Sequence, residues 1–188
     1  TKLGLSGKRL EDLAFGALLH DIGKIGIKDE VLQKQGRLSP EEYRHVQEHP
    51  LIGVKILEVF DSFKDKGFMI RHHHEHYDGE GYPDGLVGEE IPVEARIIAI
   101  SDAFDAMTSL RPHRPGITLE MALKEMKDCG GKQFDPAMVE VFLKEKLYGS
   151  PRDYPPRNKT SIPPYSQQSF SRDDVSFLEI HGSQPRPF

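Results

Sequence analysis

The sequence has a single cysteine, Cys129, so no disulfide can form within the chain and nothing marks an oxidising compartment. It has no apolar run near the ~20 residues that a membrane-spanning helix needs, and its first residues lack the charged-then-apolar order of a secretory signal. Excess positive charge is missing too: a net charge of −5 gives no support for bulk attraction to DNA or to an anionic membrane, so any anionic ligand must be met locally. No stretch alternates apolar and polar residues convincingly, which removes the basis for a sheet. What is left is a cytoplasmic, all-α protein. At 188 residues it has room for one domain with a sizeable core.

Helix signals run the length of the first three quarters. Leu10, Leu13, Ala14, Ala17 and Leu18 recur at helical spacing and predict one buried stripe, which ends at His20-Asp21-Ile22-Gly23-Lys24. Ser39, Pro40 and Glu42 give a capping-box start, and Pro50 predicts a break that leaves His49 at a bend. Pro92 opens an apolar helix in which Asp102 and Asp105 stand among buried neighbours; there a metal ion, or a salt bridge to Arg96 or Arg111, would satisfy the charge equally well. Thr118 and Asp135-Pro136 start the last two helices. The expectation is a bundle of about six or seven helices with its site at the centre. From Gly149 the composition turns to Pro, Ser, Arg and Gln, with seven of the fourteen prolines, and reads as an irregular tail over 149–188 whose apolar cluster Val175 to Ile180 is its docking point. The start on Thr1, close to a helix, suggests a segment of a longer protein.

The densest chemistry lies in Arg71-His72-His73-His74-Glu75-His76-Tyr77-Asp78-Gly79-Glu80-Gly81-Tyr82-Pro83, where four of the nine histidines fall within five positions beside a loop that no helix can continue through. Adjacent histidines on a helix point about 100° apart, so they serve different ions of a close pair more easily than one. Alone, this run could equally be solvated polar surface or a simple His72/His76 pair. Likewise His20-Asp21 by itself is a common helix-end arrangement; behind an apolar helix, with Gly23 permitting close approach, it becomes a nitrogen-plus-oxygen ligand set.

Taken together, Leu19-His20-Asp21-Ile22-Gly23-Lys24, His49-Pro50, His73-His74-Glu75 with Asp78-Gly79-Glu80-Gly81-Tyr82-Pro83, Ala99 through Thr108, and Gln133-Phe134-Asp135-Pro136 resemble the HD-GYP domain in order and spacing. The resemblance covers about residues 3 to 147, and its domain would run over 1–148. It implies a cytoplasmic bacterial phosphodiesterase of the HD superfamily that hydrolyses cyclic di-GMP to linear pGpG, to GMP or to both, on two or three divalent ions, most often iron or manganese. It puts His20, Asp21, His49, His73, His74 and Asp102 on the metals. Asp21 and Lys24 would take part in the chemistry, with Lys24 near the scissile phosphate. Tyr82, Arg111 and Arg114 would contact substrate, and His72 receives no role. Leu110 stands where family members often have Asp before the Arg111-Pro112-His113-Arg114 run. The family also takes a metal-binding histidine from a helix upstream of His20-Asp21, ahead of this sequence. Implied partners are a diguanylate cyclase domain, through the Gly-Tyr-Pro loop, and an upstream sensory or receiver domain.

The residue chemistry is consistent with these roles. Histidine and carboxylate suit such ions, Asp21 has two oxygens with which to bridge, and an arginine fork such as that of Arg114 matches the O6 and N7 acceptors of guanine. Two other classes compete: a module that keeps the fold and signals by binding or contact, and a hydrolase for another nucleotide. The complete ligand set with Lys24 favours the enzyme over the module, and the Tyr82 loop argues against the other nucleotide.

Overall fold

The structure is a computed structural model that describes residues 3–34, 36–109 and 116–149. Among these residues the helices are α1 Lys8–Leu19, α2 Asp29–Leu32, α3 Pro40–Val46, α4 His49–Leu57, α5 Gly67–Arg71, α6 Val93–Thr108, α7 Leu119–Asp128 and α8 Pro136–Lys144. There is no strand among them, and with the single-turn α2 set aside the helix count is seven, so the all-α bundle expectation holds. Arg111, Arg114 and, beyond Gly149, the expected tail lie outside the described residues.

Capping chemistry fixes several boundaries. Glu42 N–H donates to Ser39 Oγ (3.2 Å) and Ser39 N–H donates to Glu42 Oε2 (2.6 Å), the reciprocal pair that opens α3. Pro50 sits in the first turn of α4, where its missing N–H costs nothing. The bend is therefore real, but His49 is the first residue of α4 rather than a residue outside it. Thr118 accepts from Met121 N–H at the start of α7. Asp135 accepts from Ala137 and Met138 N–H at the start of α8.

α6 is the central helix. One side packs with α7 and α8 around Ile100, Phe104, Met107, Ala122, Met126, Phe134, Met138, Val139 and Phe142. Another side carries Ala95 and Ile98, buried among α1 and α5 residues. Two ion pairs tie this helix to its neighbours: Arg9 to Glu94 (2.6 Å) and Arg96 to Asp135 (2.6 Å). The second places the Arg96 guanidinium on Asp135, while Arg111, the other partner raised for Asp102, lies outside the described residues.

The predicted stripe of α1 is not the buried one. Leu10 is 45% exposed and Leu18 76% exposed, while Gly16 is buried. A side chain on Gly16 would press on Met69 and Ile98, so the helix meets α5 and α6 through its smallest residue. Close axial approach decided the contact face, against summed hydrophobicity. Asp105 is also exposed and accepts from Ser109 Oγ (2.7 Å).

Asp135 combines a helix cap with a buried ion pair. Asp135→Ala should lower unfolding free energy by about 3 kcal/mol, because it orphans Arg96 and uncaps α8 together. Asp135→Asn, which keeps an acceptor for the cap, should cost less. Denaturant titration of both variants checks the order.

Candidate metal centre

His20 and Asp21 stand where α1 gives way to the 3-10 turn Ile22–Gly26. That turn lies hard against the start of α4: a Cβ on Gly23 would collide with the His49 carbonyl oxygen. Glycine at 23 is thus what lets Asp21 reach His49, whose Nε2 is 3.4 Å from Asp21 Oδ1. The other Asp21 oxygen is 3.5 Å from His20 Nε2 and 2.6 Å from Lys24 Nζ. His20 Nε2 is also 3.6 Å from Asp102 Oδ1 on α6. Asp21 therefore sits between two groups, one made with His49, His73 and His74 and one made with His20 and Asp102.

His73 and His74 are not on a helix, as the sequence had led one to expect. α5 ends at Arg71, and the histidines follow in the turn beyond it. The turn frees each side chain from helical spacing, and their rings lie 4.0 Å apart, tilted by 45°. His49, His73 and His74 are all buried. His45 pairs with Glu48 (3.0 Å) outside this cluster.

Three of the histidines share one device. Nδ1 of His20 lies 2.7 Å from the Ala17 carbonyl, Nδ1 of His49 2.8 Å from that of Val46, and Nδ1 of His73 2.6 Å from that of Ile70. A carbonyl can only accept, so each Nδ1 carries a proton, and in the neutral rings of His49 and His73 Nε2 then presents a lone pair to the centre. The Nε2 atoms of His49 and His73 then face each other at 3.4 Å, lone pair to lone pair. Only a cation, or an added proton, makes that arrangement favourable. This is the orientation that ligating histidines take from a backbone acceptor, and the donor set of imidazoles and carboxylates fits a divalent transition-metal ion.

Charge and burial point the same way. Burial, with the nearby His20 and His49, holds His73 down at about 3, and burial also lowers His49. For His20 burial pulls downward too, but the Asp102 and Asp21 carboxylates outweigh it and raise the group. Burial pushes Asp21 up, while Lys24 and His20 more than offset this and leave it below the ordinary carboxylate value.

Tyr82 occupies an unexpected place. Its ring is 8% exposed and stacks on His74, with centroids 4.9 Å apart and planes at 24°. Burial, then the neighbouring Tyr43, Asp21 and Asp102, raises its phenol well above the usual value. The fold brings it in because Tyr82 N–H donates to the His74 carbonyl (3.1 Å) and because Gly81 lies flush on the 75–76 backbone, where a Cβ would collide with His76 N.

A model of the HD domain matches residues 1–138. The chain belongs to the HD domain family. Among its relatives, the cyclic di-GMP phosphodiesterase response regulator RpfG of Xanthomonas campestris is 45% identical over 145 residues, which are 76% of this chain and 38% of that protein. The 3'3'-cGAMP-specific phosphodiesterase 3 of Vibrio cholerae is 40% identical over 138 residues, covering 73% of this chain and 30% of that protein. A crystal structure of a cyclic GMP-AMP specific phosphodiesterase of V. cholerae superposes with a TM-score of 0.58 at 26% identity, over 80% of this chain and 41% of that one. The HD domain here thus spans well under half the length of these relatives. No helix of its described residues is long and apolar enough to cross a membrane.

The buried imidazoles set a pH dependence for the metal-free protein. An unfolded histidine protonates near 6.5, whereas folded His73 resists to about 3, so between these values the unfolded chain holds more protons and stability falls as pH falls. His73 alone contributes ~2 kcal/mol of loss by pH 5, with His49 adding to it and the raised His20 opposing it. The depressed Asp21 matters only below its ordinary value of 3.8. Melting temperature should therefore drop from pH 7 to pH 5, and His73→Asn should flatten that slope. Equal slopes in the two proteins would contradict the assignment.

Proposed function

We propose that this HD domain is the hydrolytic domain of a metal-dependent phosphodiesterase acting on cyclic dinucleotides, with cyclic di-GMP as substrate and pGpG or GMP as product. The observation that carries the reading is the opposed Nε2 pair of His49 and His73 beside a carboxylate whose two oxygens face different histidines. The names of the relatives supply the substrate class.

In this reading His20, Asp21, His49, His73, His74 and Asp102 hold two or three divalent ions, iron or manganese. Ions bound there would supply Lewis-acid polarisation of the phosphodiester and a water of lowered pKa. The chain's own groups do the rest. Asp21 presents one oxygen to each half of the centre. Lys24, now 2.6 Å from Asp21, carries the positive charge that swings to the leaving ribose oxygen. Tyr82 backs His74 and lends its phenol to the substrate side. Arg111 and Arg114 hold a phosphate and a guanine edge. The domain is taken as 1–148, with 149–188 as a tail that contributes nothing to the centre. A cyclase domain docking on the Gly-Tyr-Pro loop would meet outward residues such as Val87, which is exposed, and an upstream sensory or receiver domain would regulate the whole in the cytoplasm.

Turnover of cyclic di-GMP and of 3'3'-cGAMP by the manganese- or iron-loaded protein tests this. Asp21→Ala should lose both metal and turnover, by ~100-fold or more, while keeping its helical signal. Tyr82→Ala should lower kcat or raise KM with metal content unchanged. Full turnover in Asp21→Ala would sink the proposal.

A further inference from the structure

A second group of ligand-type side chains, His72, Glu75 and Asp84, lies outside the histidine centre. Its geometry is that of a clamp. Glu75 is fully buried, and its two oxygens accept from different backbone donors of the Gly-Tyr-Pro loop: Asp84 N–H to Oε1 at 2.7 Å and Leu86 N–H to Oε2 at 3.1 Å. Asp84 is in turn held by both arms of the Arg71 guanidinium, at 2.7 Å each. A cation here would have to displace that guanidinium and break two backbone bonds. His72 Nδ1 stands at 3.4 Å from Asp84 Oδ2 and 3.7 Å from Glu75 Oε1, completing the group without a tighter bond.

The consequence lies in what the loop carries. His74 and Glu75 are neighbours with different partners: His74 belongs to the histidine cluster, and Glu75 accepts from the loop at Asp84 and Leu86. Between the residues that Glu75 holds and the Gly81 contact stands Tyr82, stacked on His74. Charge-assisted bonds to backbone N–H groups are stronger than neutral ones, so the buried carboxylate holds this segment more firmly than a neutral acceptor would. We infer that Glu75 is a positioning residue, locking residues 82–86 so that Tyr82 stays against His74 at the edge of the centre. Its catalytic part rests on the reading under Proposed function; its structural part does not.

Glu75→Gln is nearly isosteric but sets an NH2 against one of the two loop N–H groups. Amide hydrogen exchange, read with or without turnover, should speed up at Asp84 and Leu86 by ~10-fold or more, with metal content unchanged. kcat/KM for cyclic di-GMP should fall by about 10-fold, as when an outer partner of a ligand is lost. In a Tyr82→Ala background the same substitution should cost nothing further, since it acts through that ring. Should Glu75→Gln fail to fold, Glu75→Asp, which keeps the charge and withdraws it by one methylene, reports on the same two amides. Unchanged exchange at both amides overturns the proposal. So does a lost metal equivalent, which would make the group a cation site, or an equal loss of kcat/KM in both backgrounds. If the wild-type protein hydrolyses no cyclic dinucleotide while exchange responds as stated, the functional reading fails and the clamp stands.

Discussion

The arrangement on which the rest of this structure depends is the pair of opposed imidazole nitrogens of His49 and His73, 3.4 Å apart and both left without a proton because a backbone carbonyl on the far side of each ring holds the proton on Nδ1. Two lone pairs at that distance repel in a site with little water to screen them. Folding pushes them together nonetheless, which makes sense when the folded state is completed by a cation. Asp21 and Asp102 bring negative charge to the same place, and Lys24 partly neutralises it.

Close backbone approach makes the pair possible. Gly23 lets the His20-Asp21 turn lie on the first turn of α4, and Gly81 lets the loop lie on the segment after the histidines. On the loop's far side, Tyr77 and Asp78 N–H groups donate to the carbonyls of Gln133 and Lys132, tying it to the approach to α8. The centre is therefore gathered from the end of α1, the start of α4, the turn after α5 and the middle of α6.

Much of this was legible in the residues. Ser39-Pro40 with Glu42, and Asp135-Pro136, announce helix starts because capping is local chemistry, and the structure has both. Asp21 of the His-Asp motif and His73-His74 come together with His49, while Glu75 joins a separate group with His72 and Asp84. What escaped was set by tertiary contact. Leu10 and Leu18 fit a helical stripe, yet α1 packs through Gly16, and no one-dimensional pattern says that the smallest residue wins. The histidines were placed on a helix because nothing before Pro83 forbids one; the helix stops at Arg71, where the chain turns to meet α4. Tyr82 reads as exposed because its neighbours are Gly, Glu and Pro, and its burial follows from its N–H bond to the His74 carbonyl and from Gly81 lying on the 75–76 backbone. That double acceptance by Glu75 was visible only as the last letter of a metal motif.

The central claim is that cations complete the histidine centre, and anomalous X-ray scattering at the iron and manganese edges, on crystals of the protein as purified, tests it most directly. The account predicts anomalous density among Asp21, His49, His73 and His74, with a second peak beside His20 and Asp102. Absence of density at both places, with His49 and His73 still face to face, would mean that a shared proton holds the pair, and would contradict it.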